Sequence, residues 1–107
     1  MVDQASLTSR AFQTFTGEAP AHAEAWMTAV SALGAASALA SKTGHLAYLA
    51  VLAAARLHDG LPFHVTLAKQ AGASRAEIAS AILVGLPAVG NAVVSALPVA
   101  LQAFDAA

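Results

Sequence analysis

The sequence predicts an all-α protein of five or six helices without a β-sheet. Alanine, the residue with the highest helix propensity, makes up more than a quarter of the 107 residues. Apolar side chains recur at helical spacing along the chain, and no run alternates with the two-residue period of a strand. Glycine and proline separate the apolar runs, as expected where helices end and begin.

Residues that favour helix ends delimit the predicted helices. Ser6 or Asp3 is placed to cap the first helix, and Gly17 ends it. Pro20 suits the first turn of the second helix, which Gly34 closes. The predicted spans are approximately residues 7–15, 20–34, 41–57, 61–71, 75–86 and 88–104.

The later helices carry further signals. The third helix is apolar on all sides, which is typical of a buried helix. Asp59 is a candidate cap for the fourth helix, because it precedes a break at Gly60. Ser74 and Glu77 form a capping box that opens the fifth helix. Pro98 is expected to bend the sixth helix, since proline removes a backbone donor.

The composition excludes several classes of protein. The chain is 58% hydrophobic and 10% charged, against about 45–50% and about 25% in ordinary soluble domains. Its formal net charge is −1, and its basic residues are scattered, so we expect no nucleic-acid partner. The absence of cysteine excludes disulfides, thiolate metal sites and a thiol nucleophile.

The high content of apolar residues indicates that part of the molecular surface is covered by a membrane or by another protein subunit. A monomer of this size buries only about 60–65% of its unfolded surface. The run from Ile78 to Phe104 is long enough to cross a bilayer, but glycine, proline and polar residues interrupt it. The initial segment MVDQASLTSR lacks the apolar region of a secretory signal. We therefore predict a cytoplasmic homo-oligomer with no membrane partner, and a small membrane protein is the alternative. The aromatic side chains, expected to fill the core or a subunit interface, are Phe12, Phe15, Trp26 and Phe63.

A specific order of residues runs through the last two thirds of the chain. The triplet SKT at residues 41–43 opens a long apolar helix, and His64-Val65 follows a short break. Ala68 then precedes the segment GASRAEI at residues 72–78. With this order, residues 39–104 resemble the carboxymuconolactone decarboxylase family, which includes the alkylhydroperoxidase-D-like proteins.

The resemblance implies an all-helical fold that assembles as trimers or hexamers. This agrees with the oligomer that the composition predicts independently. We therefore describe one domain with two parts, the N-terminal helices at residues 1–38 and a carboxymuconolactone decarboxylase-like helical core at residues 39–107.

The peroxidases of this family carry a relay with the spacing Glu-x11-Cys-x2-Cys-x3-His. When the relay is registered on His64, the cysteine positions hold Leu57 and Gly60, and the Glu position holds His45. Leucine and glycine cannot attack a peroxide or carry electrons. We therefore expect no thiol-dependent peroxidase activity.

The decarboxylases of the family lack the cysteines and keep a His at the position equivalent to His64. Their reaction needs a proton carrier near neutral pH and cations that hold a dicarboxylate. The resemblance thus implies His64 as general acid or base and His45 as a second proton carrier, with Arg56 and Lys42 as substrate-binding residues. The predicted function is a lyase or isomerase that acts on a small organic acid and needs no cofactor.

The break at residues 59–62 should fold the fourth helix back onto the third. We expect His64 to lie near residues 49–53 in apolar surroundings, where desolvation lowers its pKa. A buried histidine with a purely structural role has the same neutral form, so this interpretation stays open. His58, Asp59 and His64 lack the spacing of a known metal motif, and we expect no metal site.

Arg56 also fits a simpler role, because a cation in the last turn of a helix is favoured by the helix dipole. The competing interpretation of the whole chain is a non-catalytic, oligomeric binding or scaffold protein of the same fold.

Overall fold

The computed structural model describes residues 7–107, and in this part of the chain it is all-α, as predicted. The proposed caps Ser6 and Asp3 lie outside the described residues. We number the α-helices in chain order, and 3₁₀ segments lie at His58–Gly60 and Gly90–Ala96. The α-helices are α1 (Arg10–Glu18), α2 (Pro20–Ala36), α3 (Ser41–Ala54), α4 (Leu61–Gln70), α5 (Arg75–Leu83), α6 (Leu86–Val89) and α7 (Leu97–Ala106).

Helices α1 and α2 pack against each other at the N-terminal end of the described chain. Ser9 caps α1, because its Oγ accepts a hydrogen bond from the backbone N–H of Phe12 at 3.1 Å. Helix α1 therefore begins later than the sequence predicted. The rings of Phe12 and Phe15 pack edge to face, with centroids 6.1 Å apart. Pro20 occupies the first turn of α2, as predicted.

The hydrophobic core lies between α3, α4, α5 and α7 and the second 3₁₀ segment. Small residues in it, including Ala53 and Ala68, are fully buried and let the helices approach closely. Helix α2 contributes only Ala23 to the buried residues, so most of its apolar side chains stay outside this core. The largest fully buried side chains are Leu49, Leu61, Val65, Ile78, Ile82 and Val93.

Polar contacts fix α5 between α3 and α7. Ser74 and Glu77 form the predicted capping box, with Ser74 Oγ accepting from the Glu77 N–H at 3.1 Å and Glu77 Oε1 accepting from the Ser74 N–H at 2.9 Å. Glu77 also forms an ion pair with Lys42 of α3 at 3.1 Å. Arg75 pairs with Asp105 of α7 at 2.9 Å.

Helices α3 and α4 end in the same type of turn. After α3, the N–H of Arg56 donates to the carbonyl of Ala53 at 3.2 Å, and that of Leu57 donates to the carbonyl of Leu52 at 2.9 Å. This is the Schellman pattern, which places one residue in the left-handed region. That residue is Arg56 after α3, with φ 60°, whereas after α4 it is Gly72, with φ 100°.

The predicted single helix over residues 88–104 is wrong. The chain forms α6, the 3₁₀ segment and α7 instead. Gly90 adopts φ 71° and ψ −152°, a conformation that only glycine takes readily, and α6 ends there. Pro98 does not bend a helix but lies in the first turn of α7, where its missing N–H has no intrahelical partner to lose.

One helical stretch of the described chain, Arg75–Ala106, has the length and composition of a membrane span, with a mean hydropathy of 1.9. A spanning helix is a continuous element of about 20 residues. Here the backbone divides the stretch into three α-helices and a 3₁₀ segment, and α5 packs against α7. The stretch therefore contributes residues of α5, the 3₁₀ segment and α7 to the hydrophobic core, and 17% of its apolar window is buried.

Candidate functional site

His64 lies at the start of α4, just after the break that follows α3. Helix α4 begins at Leu61, and Pro62 occupies its first turn. The ring of Tyr48 on α3 lies 4.4 Å from the imidazole of His64, centroid to centroid. The ring of Phe63 meets the imidazole edge to face at 5.3 Å. Helix α4 thus packs against α3 as predicted, and His64 contacts two aromatic rings.

These surroundings favour the neutral form of the His64 imidazole. Burial lowers the pKa of His64 from its ordinary value of 6.5, because an apolar environment disfavours the charged imidazolium. The charge of His45 lowers the pKa of His64 further by repulsion. The predicted direction of the shift is confirmed. Within residues 7–107, no hydrogen bond contributes to this shift.

A cavity of about 270 Å³ opens beside His64. Its walls come from α1 with the two residues before it, from α2 and α3, and from the start of α4 with the turn that precedes it. The N-terminal helices therefore help to form the site. Most of the lining is aromatic or aliphatic, from Phe12, Trp26, Met27, Val30, Tyr48 and Phe63. The polar side chains that line it are Thr8, Ser9, Asp59 and His64.

The structure does not bring Lys42 and Arg56, the predicted substrate-binding residues, to this cavity. Lys42 is paired with Glu77 beside a separate groove between α3 and α5. Arg56 is exposed in the turn after α3. All five Lys and Arg residues of the chain lie in the described part, and none lines the cavity. The cations that a dicarboxylate would need are therefore missing beside His64.

His45 lies close enough to His64 to affect its titration, although it does not line the cavity. It precedes Tyr48 by three residues, so the two side chains share one face of α3. His45, Tyr48 and His64 therefore form one cluster where α4 packs against α3.

The turn His58–Gly60 differs from its predicted role. Asp59 does not cap α4, because the 3₁₀ turn runs directly into the helix and Gly60 takes the N-cap position without a side-chain bond. Asp59 lines the cavity instead. Nε2 of His58 is buried with no hydrogen-bond partner in the described structure. No group of three His, Asp or Glu side chains within residues 7–107 is placed to hold a metal ion.

Several cavity residues were not predicted as site residues. The three-residue spacing from His45 could have identified Tyr48. Phe12 and Trp26 were assigned to the core or an interface, and no sequence signal indicates that α1 and α2 lie over His64. Their apolar residues fit a core, an interface or a cavity wall equally well.

A comparison with family models matches residues 20–102 to the carboxymuconolactone decarboxylase family. This chain belongs to that family. The match begins at Pro20, so the family region includes α2, which lies outside the resemblance noted at residues 39–104. Searches of curated proteins and of solved structures found no match.

This carboxymuconolactone decarboxylase-family protein has no cysteine, so it cannot use a thiol of its own. The register on His64 places the second cysteine of the family's relay at Gly60. A Cβ on Gly60 would lie 3.9 Å from Cδ2 of His64 and 3.6 Å from the methyl groups of Leu52. Position 60 therefore faces the imidazole, and the missing side chain leaves space that belongs to the cavity.

Proposed function

We propose that this carboxymuconolactone decarboxylase-family protein is a lyase- or isomerase-type enzyme that transfers a proton on a small organic molecule, with His64 as the acid–base group. The observation that carries this proposal is a half-buried imidazole of lowered pKa at the wall of an aromatic cavity of about 270 Å³. Neutral imidazole is the form that a general base needs at pH 7.

A proton shift next to a carbonyl group fits these residues. The free imidazole nitrogen of His64 takes a proton from the carbon beside the carbonyl, and the electron pair moves to the oxygen as an enolate. The imidazolium then returns the proton to another carbon, and the double bond moves with it. No oxidant, metal or cofactor is needed for this balance. Loss of carbon dioxide from that carbon would give the same enolate without proton abstraction, but an acid must then protonate the carbon. Neutral imidazole is a weak acid, so the lowered pKa of His64 favours the isomerase direction.

Ser9 supplies a donor for the carbonyl oxygen in this scheme. Its Oγ accepts from the Phe12 N–H, which leaves its own O–H proton to donate, and Ser9 lines the same cavity as His64. A positioned donor stabilises the negative charge that develops on an enolate oxygen.

Deuterium exchange tests the proposal. The probe is a small unsaturated γ-lactone in D₂O, followed by proton NMR for exchange beside the carbonyl and for movement of the double bond. His64→Gln should slow the protein-dependent rate by about 10²–10⁴-fold. His22→Gln is the matched control, because His22 lies on the exposed part of α2 and does not line the cavity. Wild-type protein that is no faster than His64→Gln would contradict catalysis by His64.

A non-catalytic binding protein is the second candidate function. The observation that favours it is the lack of a hydrogen-bonded partner that would orient the imidazole in residues 7–107, since catalytic histidines are usually oriented by a third group. Ligand binding in the cavity without His64-dependent exchange would support this candidate.

We also propose that the protein forms a homo-oligomer. Large apolar side chains on α2 are exposed in the single chain, with Trp26 at 54% and Leu33 at 68%. Exposed apolar surface of this kind is expected at a subunit interface. A trimer or hexamer, as the family resemblance implies, and a cytoplasmic location stay predictions.

A further inference from the structure

The charges around the cavity are unevenly distributed. Asp59 is the one acidic side chain within residues 7–107 that lines it, and no Lys or Arg faces it there. The ion pairs of the described chain, Lys42 with Glu77 and Arg75 with Asp105, do not include Asp59. Among the described residues, the carboxylate of Asp59 therefore forms no ion pair with a Lys or Arg.

The remaining cations do not line the cavity either. Lys69 donates to the carbonyl oxygens of Phe104 and Ala107 at 2.8 and 3.0 Å, at the end of α7. Arg10 and Arg56 are exposed and do not line the cavity. Within residues 7–107, His64 is therefore the only residue of the lining whose side chain can become a cation.

The walls and size of the cavity favour a flat apolar ligand. Phe12, Trp26, Tyr48 and Phe63 offer aromatic surfaces, and Met27 adds an adaptable apolar side chain. An apolar cavity of about 150 Å³ is large enough for benzene. The volume of about 270 Å³ therefore accommodates a substituted ring.

We propose that this cavity binds an uncharged, planar molecule built on a single ring, and that Asp59 selects against carboxylates. This ligand class would be the substrate class of the proposed enzyme, and its catalytic meaning rests on that proposed function. It differs from the small organic acid that the sequence predicted, because the structure places an acid and no cation beside the ring-binding walls.

Asp59 is exposed, so water screens its charge. For an anion about 5 Å away in a nearly aqueous environment, Coulomb repulsion corresponds to about three- to tenfold weaker binding. The same repulsion should decrease at high salt, because exposed charges are screened over about 10 Å at 0.1 M ionic strength.

The test uses Trp26, the single tryptophan of the chain, as a fluorescent reporter inside the cavity wall. Wild-type protein is titrated at pH 8 with benzyl alcohol and with benzoate, which share one ring and differ in charge. Benzyl alcohol should change the fluorescence, and benzoate should bind about three- to tenfold more weakly. Asp59→Asn should bring the two dissociation constants within about twofold, by improving benzoate binding alone.

Glu24→Gln is the matched control, because it changes net charge by the same unit on α2 without lining the cavity. It should leave the ratio of the two dissociation constants unchanged. Equal or tighter binding of benzoate to the wild type, a ratio unaffected by Asp59→Asn, or no binding of benzyl alcohol would each overturn the proposal.

His64→Gln separates this inference from the proposed catalysis. The variant should keep the preference for benzyl alcohol, since Asp59 remains. If the preference is found but proton exchange is not, the ligand class stands and the catalytic function fails. If His64-dependent exchange is found without the preference, the opposite holds.

Discussion

Replacing Arg56 with glycine should stabilise this protein. Arg56 holds φ 60° in the Schellman turn after α3, where glycine is the usual residue. Its side chain is exposed, and it forms no ion pair within the described structure. The substitution therefore removes backbone strain and no tertiary contact.

The expected size follows from three contributions. A non-glycine residue in the left-handed region costs about 1–2 kcal/mol, which glycine would recover. Glycine loses about 0.5–1 kcal/mol through the greater entropy of the unfolded chain. Removing a cation from the end of α3 loses roughly 0.3 kcal/mol of dipole interaction. The net gain is about 0.5 kcal/mol, which raises Tm by about 2–4 °C in a domain of this size.

Gly72→Ala is the matched control, because Gly72 takes the same position after α4 with φ 100°. No atom lies within 4 Å of a Cβ at this position, so any loss comes from the backbone alone. Alanine there should lower stability by about 1 kcal/mol or more. Both variants are melted by circular dichroism at one fixed protein concentration, since assembly makes Tm depend on concentration.

The same variant tests the substrate-binding role predicted for Arg56. Because Arg56 does not line the cavity, Arg56→Gly should keep the His64-dependent proton exchange and the ligand titration of Trp26. A lower Tm would refute the strain argument. A loss of exchange with the fold intact would restore Arg56 as a substrate-binding residue.

Three further predictions concern pH and assembly. His64 has a lower pKa in the folded protein than in the unfolded chain, so the protein loses stability as the pH falls below 6.5. In urea unfolding, the free energy of unfolding of His64→Gln should therefore decrease less than that of the wild type between pH 7.5 and 5.5. His45→Gln should raise the pKa of His64 in an NMR titration, because it removes a repelling charge; an unchanged pKa would contradict the proximity of the two side chains. Light scattering should show an oligomer for the wild type and a smaller species for Leu33→Glu, which charges a residue that is 68% exposed and outside the core; a wild-type monomer would contradict the assembly proposal.

Helix starts were easier to predict than helix ends. Pro20 and the Ser74–Glu77 box act through local geometry and are visible as residue types. Helix α3 stops at Ala54, before the predicted end, because Arg56 adopts a conformation that its residue type does not signal. In the same way, whether the segment after Gly90 becomes α-helix or 3₁₀ helix depends on packing in the core, which no local pattern records.

In the candidate site, too, some features could be predicted from the sequence and others depend on tertiary packing. His64 came from the family resemblance, and its lowered pKa followed from the expected packing of α4 on α3. The cavity could not be predicted, because α1 and α2 carry no signal for the surface that they cover. Lys42 and Arg56 were chosen for their charge, but Lys42 is held by Glu77 and Arg56 turns outward after α3. The charge of a residue does not indicate which way its side chain points when the conformation of the turn between the helices is unknown.

Gly60 lines the cavity at a position where the redox relay of the family has a cysteine. In the register on His64, the family's relay has a cysteine at this position, and in this chain a Cβ here would lie 3.9 Å from Cδ2 of His64. The absence of a side chain removes the redox group, and Gly60 itself lines the cavity together with Asp59 and His64. The imidazole then shares a mainly apolar cavity with Asp59 and has no thiol beside it. Such surroundings suit acid–base chemistry on an uncharged ligand, since a neutral imidazole can act on a carbon acid without a second reactive side chain.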